Sequence, residues 1–257
     1  MKSIILLALV STLVACSTTK EDALNGQVCG PQTPRDISSG VGTNPVTFDF
    51  APKSEKLNLC NIHFHKNAEH KGPDFSVFKG SSDDGGYACN QTAKLPKKKL
   101  KKFGPGACKG IEAGDTIEVH WVHSSCDVKP GPTLGACLTE KCTSPKLRVE
   151  TQVFVLVNDR NAGSFADYTK LVSKNGFEQA AKLPSRKNAV EFLGSTTGPS
   201  YNNKCSPFNV TWSVTPTCNQ IDIKTVHNWC KNNAFKEAHA HGVRQLVTDP
   251  KMLSIIK

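Results

Sequence analysis

The sequence contains no Cys-x-x-Cys pair and no His-Glu-x-x-His run. The first absence leaves a thiolate zinc site or a thioredoxin-like redox centre without support. The second removes the helical signature of zinc proteases. No internal repeat and no interdomain linker breaks the chain. The mostly apolar stretch Ile4 to Val14 falls short of the ~20 residues that a membrane-spanning helix needs. The Lys run at 97–102 lacks interleaved aromatics, so it reads as a solvated loop, with anionic headgroups or polyanions as its alternative contact. No His precedes His63, so the early chain offers no imidazole to carry protons.

What is present begins with an export signal. Lys2 is a positive n-region and Ile4 to Val14 an apolar h-region. The end of this stretch, Leu13-Val14-Ala15-Cys16, resembles the lipobox of bacterial lipoproteins. That resemblance implies a signal peptide over residues 1–15 and lipid on Cys16. It implies a tether over 16–27 and, by analogy, a periplasmic address on the outer membrane of a Gram-negative bacterium. Residues 28–257 are then one large domain. Of the eleven Cys in the 257-residue chain, ten remain after Cys16. An even number in an oxidising compartment predicts several disulfides, with connectivity open. The formal net charge is +10. An exported lipoprotein has no nucleic-acid partner, so the charge is not read as a nucleic-acid footprint.

Period-two, β-branched runs predict strands at Val46–Phe50, Asn58–His65, Thr116–His123, Val149–Val157 and Asn209–Val214. Helical spacing is weaker and confined to Ser164–Ser173 and Ile221–Asn232. Lys71–Gly114 reads as a long loop insertion. The expected class is mainly β.

Two strands carry the chemistry. In His63-Phe64-His65 the two imidazoles share one strand face. In Glu118-Val119-His120 a third imidazole shares its face with a carboxylate. Three His leave a fourth position of a tetrahedral zinc open, the pattern of a catalytic site.

His63-Phe64-His65, then Glu69-His70, then Glu118-x-His120-x-Val122-His123, resembles the alpha-class carbonic anhydrases, whose signature is HFH, EH and ExHxVH. Gln32-Thr33-Pro34-Arg35-Asp36-Ile37 is similar to their N-terminal QSPI element. Gly194 to Pro199, Cys205-Ser206 and Val210-Thr211-Trp212 are similar to their later elements. The stretch Cys60 to Phe75, with its insertion, looks closer to the delta class, and these residues do not separate the two. Lys66 stands where the family has Trp, and the threonine segment lacks a Leu and a Pro.

The resemblance implies a single domain built on a large, mostly antiparallel twisted β-sheet with short peripheral helices. It implies Zn²⁺ on His63, His65 and His120, with Asn61 and Glu118 orienting ligand rings. It assigns Thr197 as the gatekeeping hydroxyl, or Thr196 if one residue is deleted, with Glu69 behind it. Val122 and Trp212 would line the substrate pocket, and His70 and His123 would be buried structural rings. His239 and His241 read as a surface pair. A disulfide between Cys29 and Cys205 would brace the threonine loop. The implied activity is that of a carbonate dehydratase, a lyase: reversible hydration of carbon dioxide to bicarbonate and a proton by hydroxide on the zinc. The alternative is a non-catalytic zinc-binding lipoprotein of the same ancestry. The His-free early chain leaves proton release to water, external buffer or a group from the insertion.

Overall fold

The computed structural model describes residues 29–102, 104–196, 205–206 and 208–256. The expected signal peptide, the expected tether with Cys16, and Thr197 lie outside the described residues.

Five strands form the main sheet: β1 (Asn58–Lys66), β4 (Thr116–Ser124), β5 (Leu147–Val157), β9 (Phe208–Asp222) and β8 (Val190–Thr196), in the order β1-β4-β5-β9-β8. Every neighbouring pair is antiparallel except β5–β9, which is parallel. The expected mostly antiparallel sheet is therefore mixed at one pair. Two ribbons lie outside it, β2 (Val77–Gly80) with β3 (Gly86–Ala88) and β6 (Leu171–Lys174) with β7 (Phe177–Ala180). The helices are short: α1 (Phe165–Thr169) and α2 (Ile223–Lys231), the latter capped by the Asp222 side chain on Lys224 N–H.

Side-chain alternation divides the core into two layers. Val122, Val149, Val153, Val210, Trp212 and Val214 pack on one face of the sheet. Ile62, Phe64, Ile117, Val119, Trp121 and Phe154 pack on the other, under α2. His63 sits directly opposite His120, and Phe64 opposite Val119, so one register places the histidines on the first face and the apolar partners on the second.

Three local expectations are corrected. Val46–Phe50 alternates in exposure but joins no ladder. Pro45 and Pro52 bracket it, and neither has an N–H to donate. The helix expected over Ser164–Ser173 stops at Thr169, and Leu171–Lys174 pairs as β6, consistent with its β-branched Val172. The Lys71–Gly114 segment is more than a loop. It carries β2–β3 and is fastened by the disulfides Cys89–Cys218 and Cys108–Cys230, to β9 and α2. Three further bridges, Cys29–Cys205, Cys60–Cys137 and Cys126–Cys142, complete the pairing of the ten described cysteines.

Candidate metal centre

His63, His65 and His120 each offer a ring nitrogen, all within 4.8 Å of one another. Strand geometry brings them together. His63 and His65 are two apart on β1, and His120 lies across from His63 on β4. His63 Nε2 and His120 Nδ1 are 3.2 Å apart. Two nitrogens at 2.0–2.1 Å from a tetrahedral ion stand about 3.3 Å apart, so this spacing suits zinc.

The far nitrogen of each ring is occupied. His63 Nδ1 donates to Asn61 Oδ1 at 2.7 Å, His65 Nδ1 to the Gly242 carbonyl at 2.7 Å, and His120 Nε2 to Glu118 Oε1 at 2.7 Å. Each of these acceptors fixes a proton on the outer nitrogen and leaves a lone pair on the inner one. Burial, together with the rings of His120, His65 and His241, pushes His63 well below its usual pKa. Burial also lowers His65, against the pull of Glu69. Neutral imidazole is the form that binds metal.

Glu118 is fully buried. Its Oε1 also accepts from His70 Nδ1 at 2.7 Å, and its Oε2 accepts from His70 N–H at 3.1 Å. Burial opposes its ionisation. The His70 and His120 rings outweigh that and hold the carboxyl well below the usual range. His70 and His123 are both buried; His123 Nδ1 donates to the Trp121 carbonyl at 3.0 Å, on the sheet face opposite the three converging imidazoles.

A cavity of about 230 Å³ opens over the three rings, walled by Glu69, Leu134, Thr196, Trp212, His241 and Arg244 among others. Trp212 packs edge-on against His120 with centroids 5.1 Å apart. Val122 is buried in the core layer beneath, with Val149 and Trp212. Thr196 ends β8 on the cavity wall. Glu69 Oε1 accepts from Arg244 N–H at 3.0 Å and from Arg244 Nε at 3.4 Å. Burial opposes ionisation of Glu69, but His65 and Arg244 outweigh it and hold its carboxyl at about 2.

His241 is half-buried on the cavity wall, where the sequence expectation had only a surface pair with His239. Its ring lies 5.7 Å from His63 and 5.9 Å from His65, and its Nε2 donates to Glu237 Oε2 at 2.8 Å. Glu237 raises its pKa. His239 is exposed, as expected. The segment reaches the site because β1 is a sheet edge. His241 N–H donates to the Phe64 carbonyl and its own carbonyl accepts from Lys66 N–H, both at 2.9 Å. That docking also delivers Gly242 and Arg244. Sequence reasoning missed Leu134, His241, Gly242 and Arg244. Only the second His-x-His, His239-Ala240-His241, signalled any of them.

The sequence model of the family described as delta carbonic anhydrase matches residues 54–225. No curated protein sequence matches the chain. Among solved structures, one similar to it is an alpha-carbonic anhydrase from Thermovibrio ammonificans in complex with the inhibitor sulfanilamide. Identity is 14% and the TM-score 0.32, covering 80% of this chain and 82% of that one. Another is a halotolerant carbonic anhydrase from Dunaliella salina, at 16% identity and TM-score 0.34, covering 93% of this chain and 88% of that one.

Proposed function

The chain belongs to the delta carbonic anhydrase family, and from that premise we propose that it is a zinc-dependent carbonic anhydrase interconverting carbon dioxide and bicarbonate. One observation carries the reading: three imidazoles converge with their inner nitrogens turned towards one another and each outer nitrogen tied to an acceptor. His63, His65 and His120 would hold the ion. When bound, zinc supplies an acidified water, its pKa lowered from about 15.7 to about 7, a magnitude established for carbonic anhydrases as a group.

The chain's own residues do the rest. Asn61, Gly242 and Glu118 keep the ligand rings in the binding tautomer. His65 and Arg244 hold Glu69 ionised beside the cavity, where its carboxylate can accept a hydrogen bond from a threonine hydroxyl. Thr196 stands on the wall, and Thr197, outside the described residues, is the alternative for that hydroxyl. The indole of Trp212 and the side chain of Leu134 form an apolar wall suited to carbon dioxide, a substrate without charge. His120 and Glu118 share a proton held at His120 Nε2, away from the reacting space.

The test is carbon dioxide hydration by purified protein before and after chelation. Expected are activity that chelator abolishes, recovery with one equivalent of zinc, and no activity in His120→Ala. A protein that binds zinc with unaltered ligands and stays inactive would sink the catalytic reading in favour of a zinc-binding protein.

The same reading includes export. Five disulfides among the described residues support an oxidising compartment. Cys16 is the proposed lipid attachment and the outer membrane the proposed address. A Cys16→Ser variant is expected to lose lipid labelling and move to the soluble periplasmic fraction. Unchanged membrane partitioning would refute it.

A further inference from the structure

The loop 125–146, between β4 and β5, is braced beside the metal centre by two disulfides. Cys126–Cys142 closes it on itself, and Cys60–Cys137 ties it to β1. Ser124 Oγ donates to the Cys137 carbonyl at 2.8 Å, and Asn58 Nδ2 donates to the Cys126 carbonyl at 2.9 Å. On the strand side, the β1–β4 register shifts between Leu59 and Asn61, so Cys60 is the extra residue of a bulge. A bulged residue leaves the ladder and re-aims its neighbour. Here the Cys60 carbonyl accepts from Gly131 N–H in the loop at 3.0 Å, and the next residue, Asn61, turns its buried amide between loop and metal centre.

That amide is read at both ends. Asn61 Nδ2 donates to the Gly131 carbonyl at 3.1 Å, while Asn61 Oδ1 accepts from His63 Nδ1 at 2.7 Å. A peptide carbonyl can only accept, so it must meet the NH₂ end of the amide. That leaves the oxygen end for His63, and an oxygen there can only accept. His63 must therefore carry its proton on Nδ1 and keep the lone pair on Nε2, the nitrogen that faces His120. Were the amide turned over, its NH₂ would donate to Nδ1, and the proton would sit on the nitrogen meant for metal.

We propose that the disulfide-braced loop 125–146 selects the metal-binding tautomer of His63 through the relay Gly131 carbonyl–Asn61 amide–His63 imidazole, so that cross-link integrity sets metal affinity. Asn61 is a positioning residue in this scheme, and Cys60–Cys137 fixes the carbonyl that orients it. The inference rests on the proposed zinc site.

The experiment reads tautomer and affinity separately. Nitrogen-15 shifts of the His63 ring in metal-free protein report which nitrogen is protonated. Competition with a chromophoric chelator reports zinc affinity. Wild type is expected to show Nδ1–H and tight zinc binding. The Cys60→Ser/Cys137→Ser protein is expected to show mixed tautomers and affinity weaker by about 10-fold or more, within the range for partners that orient a ligand, a range to which carbonic anhydrases themselves contribute. Asn61→Ala should lose affinity comparably, and adding the cysteine changes to it should cost nothing further, because the relay is already cut. Cys108→Ser/Cys230→Ser, on the far side of the sheet, should bind zinc as wild type does. Should the first cysteine pair fail to fold, Cys126→Ser/Cys142→Ser releases the same loop and enters the same cycle. Pure Nδ1–H with unchanged affinity in the loop variants, or equal losses with and without Asn61, overturns the proposal. Wild-type protein that binds no zinc overturns instead the functional reading beneath it.

Discussion

Glu118 and Glu150 are buried carboxylates on adjacent strands, one on each face of the sheet. Both are ionised below the usual range although burial opposes it, Glu118 through His70 and His120 and Glu150 through Arg148. A depressed carboxylate alone therefore does not tell a site from a scaffold. What differs is the far end of each partner. Arg148 donates through Nε to Glu150 at 2.6 Å and through Nη2 to Glu191, and Arg186 donates to Glu150 at 3.1 Å and also to Glu55. These cations are used up on carboxylates. His120, by contrast, spends one nitrogen on Glu118 and turns the other towards the open cavity. A network with a free end can hold something else.

The sharpest way to break this comparison is to remove each carboxylate. Glu150→Ala leaves the Arg148 guanidinium, 1% exposed, without its main partner. About 3–5 kcal/mol of stability should go, measured by urea unfolding, with zinc affinity unchanged. Glu118→Gln should do the reverse, weakening zinc binding about 10- to 100-fold with a smaller stability loss. If Glu118→Gln costs as much stability as Glu150→Ala and leaves zinc affinity intact, the distinction collapses.

Acid offers a smaller test on the scaffold side. Burial lowers His123 from 6.5 to about 4 despite nearby Glu150. The folded pKa lies below the unfolded one, so the unfolded chain takes up the proton first. Stability is complete above pH 6.5 and falls as pH drops towards 4, by on the order of 3 kcal/mol. His63 and His65 are lowered too and add to the same slope in metal-free protein. His123→Gln identifies the share of His123: unfolding midpoints in that variant should depend less on pH between 6.5 and 4. An unaltered slope would show that His123 contributes nothing.

Much of the centre was legible because strands have period two. His63, His65, Glu118 and His120 need only two strands in register to converge, and both strands stand out in the sequence. Asn61 was visible on the same grounds, though its amide orientation was not, since that depends on Gly131, 70 residues away. Residues 239–244 were illegible for a different reason. They form no strand of their own and enter the site by backbone hydrogen bonds to the edge of β1, which any sequence could make. Leu134 was hidden likewise, in a loop held by cross-links whose pairing spacing does not reveal. Val46–Phe50 misled because alternation marks an extended chain, while a strand also needs a neighbour.

The docking of residues 239–244 on the edge of β1 also sets an order of assembly. The acceptor that fixes the His65 tautomer is Gly242, 177 residues further along the chain. A chain synthesised from its N-terminus presents His63, His65 and His120 long before Gly242 and Arg244 arrive. Until then the rings have no complete set of hydrogen-bond partners to hold them in one tautomer. On the proposed zinc reading, selective capture of an ion would wait until nearly all of the polypeptide has emerged.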